Sequence, residues 1–194
     1  MRYFLKFIAN FSIIPLLIGL LFFSNIKGYL RFKSYCSNEG GLRVYEPLEK
    51  NVGWVADDYD DAHVAAQLKH VGFVRYTEKK DGNTYDLRYL GGDPQHDSSF
   101  EKAPADESKP LAYKWRHVNG AIQDELRLSR SVFEIINVNT NHVSTRFYMF
   151  WYHRFGRAHT LFDAPYPVSC FHERGSNFGD FPRSLREINT AFEK

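Results

Sequence analysis

Two cysteines, eight histidines and a run of four carboxylates are the residues of this chain whose types could do chemistry. Cys170 has His172 and Arg174 close by. An imidazole that takes the thiol proton, beside a guanidinium that favours the thiolate, is the arrangement of a Cys/His nucleophile. The competing use of Cys170 is structural. Cys36 and Cys170 are the only cysteines, which suits a single disulfide in an oxidising compartment. Closing a loop of about 130 residues stabilises a fold by up to ~5 kcal/mol in the chain-entropy treatment. Two separate buried thiols in a cytosolic domain are the third possibility.

The histidines stand at 63, 70, 96, 117, 142, 153, 159 and 172, without the H-x-x-x-H or H-E-x-x-H spacing that puts two imidazoles on one helical face. His153, His159 and His172-Glu173 lie near one another in sequence, but scattered imidazoles are the expectation, with no metal and no cofactor. Asp57-Asp58-Tyr59-Asp60-Asp61 lacks the alternating oxygen ligands and acidic twelfth position of a calcium loop. It reads as a helix start, its carboxylates meeting the positive end of the helix dipole. Neither a G-x-S-x-G turn nor a glycine-rich phosphate cradle occurs.

The densest local feature is Phe147-Tyr148-Met149-Phe150-Trp151-Tyr152. In a strand, Phe147, Met149 and Trp151 face one side and Tyr148, Phe150 and Tyr152 the other. Both faces are apolar. Two helices outside the N-terminal segment are few for covering them, so Tyr148, Phe150 and Tyr152 form a candidate partner face.

The elements that position these residues follow from pattern. A strand is expected over Leu42–Glu46, and a helix after Asp61 with Val64, Leu68 and Val71 as its stripe. Strands over 73–77 and 84–90 flank an Asp81-Gly82 hairpin, and 91–110 reads as a long polar loop with three prolines. Leu111 to Val118 alternates into Asn119-Gly120, a second hairpin signal. Ile122, Leu126 and Leu128 have one parity and Phe133 and Ile135 the other, which implies a bulge near Arg130. A turn at Asn137–His142 precedes a strand from Val143 to Phe155, and Ser184-Leu185-Arg186-Glu187 has capping-box form for a last helix.

At the other end, Phe7 to Ile26 carries no charge, with Arg2 and Lys6 before it and Lys27, Arg31 and Lys33 after it. About 20 apolar residues match the hydrocarbon core of a bilayer. The run lacks an Ala-x-Ala site, so a retained anchor is favoured over a cleaved signal. The flanking charges nearly tie, and orientation rests on the cysteines. A net charge of +2, with acids and bases interleaved, gives no stripe for nucleic acid.

Cys36-Ser37-Asn38-Glu39-Gly40-Gly41 followed by Arg43-Val44-Tyr45, the strand Phe133–Asn137 with its turn, and the late Cys170 resemble a group of small proteobacterial envelope proteins without an assigned activity. Thr140-Asn141 stands where that group has Thr-Gly, and Phe171 where it has Pro after the second cysteine. The resemblance implies an envelope location and the disulfide, and no chemistry.

The expectation is an α+β protein. Residues 1–33 form a transmembrane anchor, and residues 34–194 one domain with an antiparallel β-meander and a helix near each end. The implied role is a non-enzymatic binding or assembly-modulating domain on the periplasmic side of a bacterial inner membrane, touching the membrane through Phe7 to Ile26 and a protein partner. The alternative is a periplasmic hydrolase using a Cys/His or His/carboxylate site.

Overall fold

The structure is a computed structural model that describes residues 23, 25–125, 127–153, 168–171 and 180–193; the side chains of 180–183 are outside this description. Nine strands form a single sheet: β1 (Gly41–Val44), β2 (Val52–Val55), β3 (Val71–Thr77), β4 (Thr84–Tyr89), β5 (Phe100–Pro104), β6 (Leu111–Ala121), β7 (Leu128–Asn137), β8 (Val143–Tyr152) and β9 (Val168–Ser169). Their order is β1-β8-β7-β6-β2-β3-β4-β5, with β9 beside β8. Three short helices accompany it: α1 (25–38), α2 (Tyr59–Ala66) and α3 (Asp180–Asn189).

The sheet is mixed, which corrects the expected antiparallel meander. β2 runs parallel to both β3 and β6, whereas the other pairs are antiparallel. Two parallel neighbours need a crossover between them, and α2 supplies it. Val52-Gly53-Trp54-Val55 is too short to show a strand period, yet it joins the two halves of the sheet. The second correction concerns the N-terminus. Among the described residues no helix is long and apolar enough to cross a membrane, which overturns the expected transmembrane helix as part of the described fold. Of the run Phe7 to Ile26, only Phe23, Asn25 and Ile26 are described. α1 also crosses the expected boundary between 33 and 34, with Phe32 buried in the domain.

α2 starts where the acidic run predicts. Asp58 is the N-cap and accepts from Asp61 N at 3.1 Å, with Asp60 and Asp61 in the first turn. The helix ends earlier than its expected stripe. Ala62, Ala65 and Ala66 face the sheet, Leu68 is buried just beyond the helix, and Val71 already belongs to β3. Small side chains let the helix lie close to the large rings beneath it. Trp54, Trp115, Tyr76, Tyr113, Phe133 and Phe147 are the rings of the main core, which they make with the helix alanines and with Leu185, Ile188 and Phe192 of the C-terminal segment. Trp54 stacks on Phe192 with centroids 6.1 Å apart. α3 begins at Asp180, so Ser184 is a buried residue inside it and not its cap.

The remaining differences have local causes. β5 lies within the expected loop 91–110; it is an edge strand, where polar residues and a terminal Pro104 are tolerated. β6 runs straight through Asn119-Gly120, because Asn119 and Gly120 stay paired with Ser131 and Arg130. The reversal falls after it, at Asp124 with φ +61°. β7 keeps its register through Arg130 and shifts only at Ile135/Ile136. Its change of apolar parity reflects burial on both faces: Leu128 and Val132 on one, Phe133 and Ile135 on the other. The Asp81-Gly82 hairpin is as expected, with Gly82 at φ +72°.

Cys36 at the end of α1 is disulfide-bonded to Cys170, after β9, across a separation of 134 residues. Reduction, or replacement of both cysteines by Ser, is expected to lower stability by ~2–5 kcal/mol, read as a lower denaturant midpoint. An unchanged midpoint would show that the bond holds nothing in place.

Candidate functional site

Two faces of the sheet present three groups of side chains. On the face opposite the main core, β8 presents Tyr148, Phe150 and Tyr152, the predicted partner face. This chain covers it from within. Leu128, Phe150 and Tyr152 are buried with Phe32 in a second apolar cluster that Tyr35, Cys36 and Cys170 border. Tyr35 stacks on Phe150 at 5.2 Å, and Tyr152 Oη donates to Asn25 O at 2.9 Å. Half-buried Tyr148 takes Arg43 over its ring at 5.2 Å. Gly28 lets α1 approach, since a Cβ there would meet Tyr152 Cε2 at 3.3 Å.

Beside this patch, register places Arg116, Glu134 and Arg146 abreast on β6, β7 and β8. Glu134 is buried and accepts from Arg116 Nε at 2.8 Å and from Arg146 Nε at 2.7 Å. A buried carboxylate needs such partners, and this one has two.

Farther along the same face, beyond α1, lies an open cleft of about 790 Å³. Val52, Gly53, Phe73, Pro110 and Leu111 form its apolar part, and Glu49, Asp86, Arg88, Glu101 and Lys109 its charged part. Phe73 lies against Gly53, where a Cβ would come within 2.3 Å of the ring and 2.7 Å of Pro110 O. Arg75 and Lys109 stand over the Phe73 ring at 5.5 and 5.7 Å. Asp86 is fixed by Arg75 at 2.7 Å and by Asp106 N at 3.1 Å. Asn51, Asn137 and Asn139 add amides at the rim. Among the described residues no serine, cysteine, histidine or tyrosine lines it.

The third group sits on the core face at the far end of β6. His117 Nδ1 is 3.9 Å from Asp61 Oδ1, and the imidazole stacks on Phe133 with centroids 4.3 Å apart. Among the described residues His117 Nε2 is buried without a hydrogen-bond partner, and burial pushes this imidazole below its ordinary pKa. The carboxyl of Asp61 is pushed up to about 6, first by burial and then by the carboxylates of Asp58 and Asp57. Asp58 goes the other way, held low by Lys79 Nζ at 2.9 Å. Farther along, Trp151 Nε1 donates to Ser131 Oγ at 3.3 Å and Ser131 Oγ to Asn119 Oδ1. Ser129 Oγ is 2.9 Å from His153 Nε2. No spacing in the chain announces the Asp61–His117 or Ser129–His153 pairs; cross-strand register and the packing of α2 create them.

The Cys/His nucleophile is corrected: Cys170 has no free thiol, and His172 lies outside the described residues, as do His159 and Glu173. Among the described residues no group of three His, Cys, Asp or Glu side chains converges to hold a metal. Searches against protein-family models, curated proteins and solved structures find no match, so the site's own chemistry carries the reading.

Asp61 has a folded pKa above its ordinary 3.8, so the native state binds more protons between those values and loses stability as pH rises through them. Asp61→Asn removes the charge that burial penalises. It is expected to stabilise by on the order of 1–3 kcal/mol at pH 8, with the gain vanishing below about pH 4. Urea titrations of both proteins across this range check it; a constant difference would contradict the assignment.

Proposed function

We propose that this chain is a non-enzymatic binding module that takes a segment of another polypeptide in the cleft between Phe73 and Leu111. The observation that carries this reading is the lining itself. It joins an apolar floor to charges of both signs and to rim amides, and among the described residues it holds no serine, cysteine, tyrosine or imidazole. An extended peptide matches this: its side chains cover Phe73 and Leu111, its amides meet the asparagines, and its charges meet Arg88, Lys109, Glu49 and Glu101. The disulfide supports a domain exposed to an oxidising compartment, the periplasm of a bacterial cell in this reading.

A photoreactive residue in place of Arg88, compared with one in place of Lys80 on the β3–β4 turn, tests the cleft. Crosslinked adducts are expected at 88, to fall about tenfold with Lys109→Glu, and to be absent at 80. Equal adducts at both positions would remove the cleft from consideration.

A second reading rests on Ser129 and His153, whose 2.9 Å contact is the geometry of a hydroxyl activated by an imidazole. In that case a fluorophosphonate probe labels the protein and Ser129→Ala abolishes labelling. Absence of labelling in the unaltered protein leaves the binding module alone.

A further inference from the structure

α1 has two apolar sides, and only one is used by the fold. Asn25, Gly28, Phe32, Tyr35 and Cys36 share the side turned to β7 and β8, as helical spacing requires. On the opposite side Ile26 and Leu30 are 59% and 60% exposed, as is helical Phe23 just ahead of α1 at 63%. These three residues fall within an arc of about 60° at 100° per residue. Lys27 and Arg31 border that stripe on one side and Lys33 on the other. Arg31 pairs with Glu125, and Lys33 lies over the Tyr29 ring at 5.2 Å. Lys27 has no ionic partner among the described residues.

The charge pattern extends beyond the helix. The first carboxylate of the chain is Glu39, so every charged side chain before it, Arg2, Lys6, Lys27, Arg31 and Lys33, is cationic. Phe23 and Ile26 also end a run from Phe7 without a charge. An exposed apolar stripe between basic side chains, with a half-exposed tyrosine at its margin, matches the boundary between acyl chains and anionic headgroups.

We infer that the outward face of α1 docks on an anionic bilayer surface, with Phe23, Ile26 and Leu30 entering the acyl-chain boundary and Lys27 and Lys33 meeting lipid phosphates. The disulfide then holds the sheet against that surface through the same helix, because Cys36 closes α1's inner side. This docking is independent of what occupies the cleft.

The test uses the full, disulfide-bonded chain with Leu30→Trp, and Lys102→Trp on β5 as the distant reference. Both are mixed with phosphatidylcholine vesicles containing phosphatidylglycerol, with and without brominated acyl chains. Bromine is expected to quench the tryptophan at 30 about twofold more than the one at 102, and the 30 emission shifts to the blue. Lys27→Glu with Lys33→Glu, placed in the Leu30→Trp protein, is expected to weaken the vesicle response about tenfold, and added salt weakens it too. Equal quenching at 30 and 102 overturns the proposal. So does a blue shift at 30 that needs no vesicles and grows with protein concentration, since a second copy of the chain then covers the stripe.

Discussion

β8 carries aromatic side chains on both of its faces, and each face must be withdrawn from water. Phe147 and Met149 enter the main core, and Phe150 and Tyr152 enter the second cluster under α1. Fully burying a side chain of this size stabilises by roughly 1.5–3 kcal/mol, so an uncovered second face would forfeit several times that amount. The covering helix is short, and a short helix does not hold its own conformation in water. The Cys36–Cys170 bond ties its end to the strand region it covers. The rest of the second face depends on this arrangement, because α1 covers β7 and β8 only in part and leaves the half toward β5 open.

The part of this face that α1 leaves uncovered, on β7 and β8 as well as toward β5, is polar for a reason. Arg116, Glu134 and Arg146, then Arg75 and Asp86, replace an apolar layer with paired charges directly across neighbouring strands. Such pairs keep a sheet face soluble while leaving a concave apolar patch around Phe73. Glu134 and Asp61 show two fates of a carboxylate in this sheet. Glu134 is flanked by two guanidinium groups, whereas Asp61 is made a weaker acid first by burial and then by neighbouring carboxylates.

Much of the local structure was legible along the chain. Asp58 as a helix cap, Gly82 as a hairpin turn and Leu185, Ile188 and Phe192 as a buried stripe all express short-range stereochemistry. The errors share a cause. β2 has four residues, β5 is a polar edge, and Asn119-Gly120 sits inside a strand although its composition suits a turn. In each case pairing with a distant strand outweighed the local preference. The cleft was not legible at all, since its lining comes from six strands, β2 to β7, together with their connections.

By itself the sequence determined the positions of the caps and turns, the two-faced aromatic strand, the cationic acid-free N-terminal stretch and the availability of one cysteine pair. These depend on residue type and spacing within a few positions. Only the tertiary structure decided that β2 runs parallel between β3 and β6, that α1 occupies the expected partner face, and that Asp61 meets His117 while Ser129 meets His153. Those outcomes depend on which distant surfaces are brought together, and no local pattern encodes the register of strands separated by dozens of residues.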